Sequence, residues 1–405
     1  MRVEKYNFVD IVVVIFLVMT SGYLGIGSIN PITIPLFFIS TCLFFLKHVK
    51  LGKGSVILLI VFMFLLFLQK YRWGGSLGNI LNIELQLISY AFLASCIESS
   101  FSKLFPKIVC VIAAISLFFY IVDHIGGHGI LLSIAQNFPI NLENQNDTMD
   151  GYSFLLYVVD AGGGLRNCGP FFEPGRYIVV LLIAFAINLI NKNTLINLEN
   201  GILLVSILTT ISLSGIATLF VVLAVYFLKK EKKNSWVVVV LFILAILVLY
   251  PTLSQSDYFG GKLADNYENM DDSNSRFGAM IYLWSQVLES PFVGYGPAIY
   301  VFDEFEVNGI SSPNGWGELM RYWGIPMAVF CFFMLYRSAK TMQIESGGGC
   351  LIFLLASAMV AFPQSVMTCP LYYVLFFLGC KSFGSFHKSP KKVQTIINPN
   401  SNNNM

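Results

Sequence analysis

Apolar residues run along this chain in blocks of about 16 to 20, each long enough to cross the hydrocarbon core of a bilayer as a helix. Such blocks fall near 8–27, 29–46, 54–69, 80–97, 105–122, 176–191, 196–213, 214–228, 235–251, 317–336, 349–366 and 369–384. Backbone polar groups in lipid must pair within their own segment, so the pattern predicts about twelve transmembrane helices. The fourth and seventh blocks are the weakest, because Glu84 and Glu199 interrupt them. The first carries Asp10 and lacks a small-residue cleavage pattern, which reads as a retained span and not a signal peptide.

Two segments, 123–176 and 252–316, break the apolar rhythm and are far longer than ordinary connections, a length usual for functional loops. In the first, an apolar stretch Ile130–Ile140 precedes an asparagine-rich acidic stretch at 141–150. The short apolar run 152–159 is too short to span and reads as a re-entrant or interfacial segment. Gly162, Gly163 and Gly164 then lead to Arg166-Asn-Cys-Gly-Pro-Phe-Phe-Glu-Pro-Gly-Arg176, directly before an apolar block. In the second segment, polar residues from Ser254 to Asp272 give way to Phe277, Met280, Ile281, Trp284, Val287 and Leu288 at helical spacing. That spacing predicts an amphipathic helix with Asp272, Ser273 and Asn274 as cap candidates, ended by Pro291 and followed by a turn at Gly294-Tyr-Gly-Pro297.

Composition agrees with the pattern: 56% of residues are hydrophobic and only 12% charged, outside the soluble range. The placement of cations sets orientation. Arg2, Lys5, Lys47, Lys50, Lys53, Lys229, Lys230, Lys232, Lys233, Arg337, Lys340, Lys381, Lys388, Lys391 and Lys392 fall on one side under the twelve-span reading, so both termini are expected in the cytoplasm. Lys70 and Arg72 violate the rule in a short outer connection. The two long segments are then extracytoplasmic, and they hold 15 of the 23 acidic residues but four of the 25 basic ones. Such a surface has no basic stripe and argues against nucleic acid as a partner. The expected fold is an all-α integral membrane protein, one polytopic domain over 1–384 with a polar cytoplasmic tail at 385–405. No internal repeat and no cofactor fingerprint are found, and the eight cysteines show no disulfide framework.

Three of the four outer cations are Arg166, Arg176 and Arg276. Guanidinium forks bind phosphate oxygens bidentately and stay charged in low dielectric, so these residues suit a lipid-linked diphosphate; the alternative is that each pairs with a nearby carboxylate or a lipid headgroup. Glu173 reads equally as a general base toward a sugar hydroxyl and as the cap of the helix beginning near Pro174. Glu318 and Arg321, three apart, share a helical face and suit a mutual ion pair, although their place after Ser311-Ser-Pro-Asn-Gly-Trp316 keeps a site role open. Glu84, inside a span, is a functional candidate by default. Of the four histidines only His124 and His128 pair by spacing, around Gly126-Gly127, and no set has metal-ligand spacing.

At these residues the chain resembles the bacterial O-antigen polymerase and O-antigen ligase superfamily. Arg166-Asn-Cys-Gly-Pro-Phe-Phe-Glu-Pro174 resembles the family's arginine segment ahead of a span, and Thr210-Ile-Ser-Leu-Ser-Gly215 its Thr-x-Ser-x-x-Gly stretch. Arg276…Trp284…Pro291-Phe-Val-Gly-Tyr-Gly296 resembles the start of its large outer loop, and Pro313-Asn314…Glu318-Leu319…Gly324-Ile325 the exit of that loop. Ligases of the superfamily carry a functional histidine where this chain has Pro313, so the resemblance points to a polymerase. It implies metal-independent, cofactor-free glycosyl transfer at the outer face of the inner membrane, between two polyprenyl-diphosphate-linked oligosaccharides serving as donor and acceptor. It also implies a chain-length regulator and a flippase as partners. In that reaction Arg166, Arg176 and Arg276, with Arg321, would hold the diphosphate, and Glu173, then Glu318, would act on the attacking hydroxyl. The rival functions are ligation of the glycan to lipid A-core and flipping of a lipid-linked saccharide.

Overall fold

The computed structural model describes residues 7–21, 33–137, 151–154, 156–160, 166–171, 173–230, 276–298, 314–342 and 347–381. The predicted span at 235–251, the stretches 141–150 and 254–272, Gly162–Gly164, the caps Asp272, Ser273 and Asn274, Pro313 and the tail 385–405 lie outside the described residues.

The helices follow the apolar blocks in order: α1 Phe8–Thr20, α2 Thr33–Leu46, α3 Lys53–Trp73, α4 Leu77–Ile97 and α5 Phe101–Val122. After a short π-helical turn, Asp123–Gly127, comes α6, His128–Asn137. Next are α7 Pro174–Lys192, α8 Leu198–Thr209, α9 Leu213–Lys230, α10 Arg276–Glu289, α11 Gly315–Trp323, α12 Ile325–Thr341, α13 Gly347–Ala361 and α14 Pro370–Lys381. Among the described residues, α3, α4, the continuous run from α5 through α6, and α7 are long and apolar enough to cross a membrane, and several shorter apolar helices accompany them. Large apolar side chains such as Phe38, Phe45, Phe64, Phe67 and Phe118 stay exposed, as on a surface whose solvent is lipid.

Four expectations change. The run at 152–159 is a β-hairpin, β1 Gly151–Phe154 and β2 Tyr157–Asp160, paired Gly151 to Asp160 and Phe154 to Tyr157. Tyr157 and Val159 from this hairpin pack against Leu131 and Ala135 of α6. The first outer segment, expected to be a loop from residue 123, opens instead with the π turn and α6. The predicted span at 317–336 is cut at Gly324, whose φ of +82° reverses the chain so that α11 folds back along α12, with Trp316 against Phe332. Glu199 likewise does not interrupt a helix: α8 starts at Leu198, which puts the carboxylate in its first turn, where the helix dipole favours it.

Helix ends segregate into two opposite sets. At one, Lys47 pairs with Asp10 and donates to the Cys96 carbonyl at 2.6 Å, Gly54 meets the Cys380 backbone, Gly348 meets Lys229, and Asn191 donates to Ser102 O at 2.7 Å. This is the lysine-rich end. At the other, Ser21 accepts the amide of Leu371 at 3.0 Å, and Gln69 reaches the carbonyls of Val293 and Tyr322 at 2.7 and 2.8 Å. Arg72, anomalous by the charge rule, lies over the Trp73 ring at 4.7 Å, and Trp73 in turn stacks on Tyr295 and donates to Gly294 O. It is a loop anchor.

At the centre stands α7, nearly all of its side chains buried among α5, α8, α9 and α13. Association of helices in lipid rests on close van der Waals packing, which small residues allow. Gly215 shows this: a Cβ there would fall 1.7 Å from Ile178 Cδ1 on α7. Gly215→Val is therefore expected to overpack the α7–α9 contact and cost about 1–3 kcal/mol. A lowered thermal midpoint in detergent checks this, and adding Ile178→Ala should recover most of the loss.

Candidate functional site

The arginine segment is drawn into the protein by one side chain. Asn167 is fully buried; its carbonyl oxygen accepts the Ser116 hydroxyl of α5 at 2.8 Å and the Gly169 amide at 2.9 Å. Its side-chain nitrogen donates to Thr209 Oγ1 at 3.1 Å, and its backbone amide to Thr209 O at 2.9 Å. One asparagine thus pins the segment to α5 and to the end of α8 at once. Gly169 follows at φ +56° with the Tyr177 ring 2.6–2.8 Å from where a Cβ would stand, so this position demands glycine on both counts. Phe171 then stacks on Tyr177 at 5.5 Å, and the chain enters α7.

Arg166 is half-buried and donates from Nε to Thr210 O, 3.1 Å away, at the C-terminal end of α8. Guanidinium has five N–H donors, and among the described residues this is the partner Arg166 has. The carbonyl it uses belongs to a strained connection. Ile211, a β-branched residue, holds φ +48° between α8 and α9, a conformation such side chains rarely adopt. Strain of this kind is kept where the surroundings over-determine it, commonly at functional sites.

Glu173 stands at the N-cap of α7 with extended backbone, and Pro174 opens the helix. Its carboxylate makes no hydrogen bond to the helix amides. Of its two sequence readings, side-chain capping is therefore removed. Arg176, in the first turn, lies near enough to Cys369 for its charge to act on that thiol. Cys168 sits between Arg166 and Glu173, and burial pushes its thiol up to about 12 despite the nearby Arg166. All eight cysteines are free.

The first turn of α11 approaches the same mouth through the turn after α13. A Cβ on Gly175 of α7 would meet the Gln364 side chain at 2.3 Å, and one on Gly315 of α11 would meet Gln364 O at 2.3 Å. The first turns of α7 and α11 therefore converge on one residue. Asn314 caps α11, accepting the amides of Trp316 and Gly317 at 3.0 and 3.1 Å. Glu318 accepts the Ser365 hydroxyl from that turn, and Arg321 donates to Gln286 of α10 at 3.0 Å. Each of these two residues thus has a partner on another element. Arg276 is the first residue of α10, and its side chain lies outside the described atoms. Leu283 against Gly317 and Gln286 at Arg321 make α10 and α11 run in the same sense. The Arg276 end of α10 thus lies on the side of the α11 N-terminus. Glu84 is half-buried two turns into α4, which packs chiefly on α2 and α14.

Sequence reading missed Asn167, Gln364 and Ser365, whose roles are contacts across the fold. Among the described residues no three His, Cys, Asp or Glu side chains gather as a metal ion requires.

Replacing Asn167 by Leu strands the Ser116 hydroxyl and the Gly169 amide, at about 1–3 kcal/mol for each unpaired group. Unfolding of purified protein in detergent should register that loss. Cys168, a neutral thiol below its raised pKa, is expected to resist iodoacetamide up to pH 9 in folded protein and react once unfolded, read by mass spectrometry. No protein-family model and no curated protein sequence matches the chain.

Proposed function

We propose that the chain is a polysaccharide polymerase of the O-antigen type, joining polyprenyl-diphosphate-linked repeat units at the outer face of the bacterial inner membrane. The reading takes the fold as about twelve spans with both termini in the cytoplasm. The segregation of helix ends into a lysine-rich set and an opposite set that carries the arginine segment supports that orientation.

The observation that carries the reading is Arg166. It is held half-buried at the mouth of the central helix, committed through Nε alone among the described residues, beside a first turn whose amides Glu173 does not cap. Guanidinium nitrogens and uncapped helix amides together form the environment a diphosphate requires. Arg176, two residues into α7, brings a second cation to the same helix end. Arg276 and Arg321 are assigned to the same anion from the second segment, which reaches this mouth through Gln364. Chemistry then follows from charge: as the bond between the sugar and its carrier breaks, negative charge grows on the diphosphate, and cations fixed in a low-dielectric site stabilise it most. Glu173, with its carboxylate unspent on the helix, is assigned as acceptor for a hydroxyl of the incoming saccharide, and Glu318, engaged by Ser365, as a support of the α11 wall.

Deleting the gene should leave surface glycan gels with lipid core carrying one repeat unit and no ladder. Loss of every repeat from the core would sink the polymerase reading in favour of a ligase or flippase. Arg166→Ala and Arg176→Ala, with protein present in the membrane at normal level, should each cut polymer yield by roughly 10- to 150-fold, the worth of a charged hydrogen bond. An intact ladder in both refutes the site.

A further inference from the structure

The sequence singled out His124 and His128 by their spacing, and the proposed reaction leaves them unused. α5 ends at Val122, and the chain kinks within Asp123–Gly127, where Ile125 (φ −91°, ψ 19°) and Gly126 (φ +104°) leave helical geometry, before α6 begins. In an uninterrupted α-helix, residues five apart point about 140° away from one another. The kink at Ile125 and Gly126 closes that gap, and it needs a glycine to hold φ +104°. Here it brings His128 Nδ1 to 2.8 Å from Asp123 Oδ1. The other oxygen, Oδ2, accepts the Tyr157 hydroxyl of β2 at 2.7 Å.

This arrangement has the parts of an oriented base. Asp123 is buried, 5% of its side chain exposed, and a buried carboxylate keeps its charge only with partners such as these two. The His128 side chain is 33% exposed, and with Nδ1 committed, Nε2 has no partner among the described residues. Hydrogen bonding at one ring nitrogen fixes the tautomer and leaves the other to accept a proton. The titratable groups on the elements packed against α6 are Asp123 and His124 on the turn, Tyr120 on α5, Tyr152 and Tyr157 on the hairpin, and Asp160 at its end. His124 is held separately, on the Tyr120 carbonyl.

The dyad also lies on the right face. Ser116, which receives Asn167, and Asp123 are seven residues apart on α5, hence two turns apart on one face and about 10 Å from each other. Cys168, next to Asn167, is near enough to Tyr157 for their charges to interact. A diphosphate gripped by Arg166 and a hydroxyl attacking the adjoining sugar carbon are separated on this scale.

We propose that His128 is the general base of the transfer step, with Asp123 holding Nδ1–H and Tyr157 fixing Asp123. The assignment rests on the glycosyl-transfer reading. Nε2 takes the proton of the acceptor hydroxyl as that oxygen bonds to the anomeric carbon. The carbon–oxygen bond to the diphosphate breaks with its electron pair leaving on the diphosphate, and the imidazolium then returns its proton to water. Glu173 has no group orienting it among the described residues, whereas His128 has the base-plus-orienter arrangement general-base catalysis uses.

The test uses full-length protein reconstituted in liposomes with polyprenyl-diphosphate-linked repeat unit isolated from a strain lacking this protein. Wild-type kcat should rise between pH 5 and 8 through one ionisation, the range in which imidazole chemistry operates. His128→Asn keeps a donor to Asp123 but has no Nε2; it should lose about 10²–10⁴-fold in kcat with KM little changed, and the pH limb should vanish. Asp123→Asn, which removes the acceptor that holds Nδ1–H, should lower kcat with KM little changed. A His128→Asn enzyme within threefold of wild type, while Arg166→Ala stays inactive, overturns the base and leaves the glycosyl-transfer reading standing. Should that variant misfold, a wild-type kcat flat from pH 5 to 8 overturns it equally. A gene deletion that leaves the ladder intact removes the reading, and the base with it.

Discussion

The end of this protein that carries the arginine segment is held in place by the hydrogen bonds of Asn167. With a single buried amide it satisfies Ser116 on α5, Thr209 at the end of α8 and the Gly169 amide beyond it. Water is excluded there, so each of those groups would otherwise be stranded at a cost of a few kcal/mol. The polar segment between Arg166 and Arg176 is thereby fixed relative to two helices, α5 and α8, before it turns into α7. The cations owe their positions to this amide. Arg166 can reach the end of α8 only because Asn167 has brought the chain there, and Arg176 follows from where α7 begins.

Around that anchor the protein keeps charge at its two ends and apolar packing between them. Lys47 and Asp10 meet at one end, and the arginine segment, Glu318 and Arg321 stand at the other. The central helix contributes no charge between Arg176 and Lys192, as a span surrounded by other spans should. Its exits are then the sole places where its polar neighbours can act.

Much of this was legible in the sequence, for physical reasons. Apolar blocks report helices because lipid leaves the backbone no other partner, and their ends were placed within a few residues for α3, α4, α5 and α7. The amphipathic helix at Arg276–Glu289 and its turn at Gly294 followed from spacing alone. Other features could not be read. The run 152–159 has no period long enough to separate hairpin from helix, and its pairing brings Phe154 back against Tyr157. The break at Gly324 hides within a continuous apolar block. Asp123 and His128 lie five apart, a spacing with no meaning until the chain kinks at Ile125 and Gly126; the Gly126-Gly127 pair was the hint. Asn167 looked like one more polar residue in a polar patch, because its significance depends on Ser116 and Thr209, distant in sequence.

The glycines at the outer end differ in what evolution can do with them. At Gly215 the obstacle is the tip of a side chain, so a larger residue there is negotiable through a second change at Ile178. At Gly294 and Gly324 the obstacles are main-chain atoms: a Cβ on one would meet Tyr322 O at 2.6 Å, and on the other Phe292 O at 2.4 Å. Both also hold positive φ, at +71° and +82°. No substitution elsewhere removes a backbone oxygen. Genetic suppressors should therefore arise readily for lesions at the first kind of glycine and be missing for the second. The bend that joins the second outer segment to α12 is a place where this sequence cannot drift.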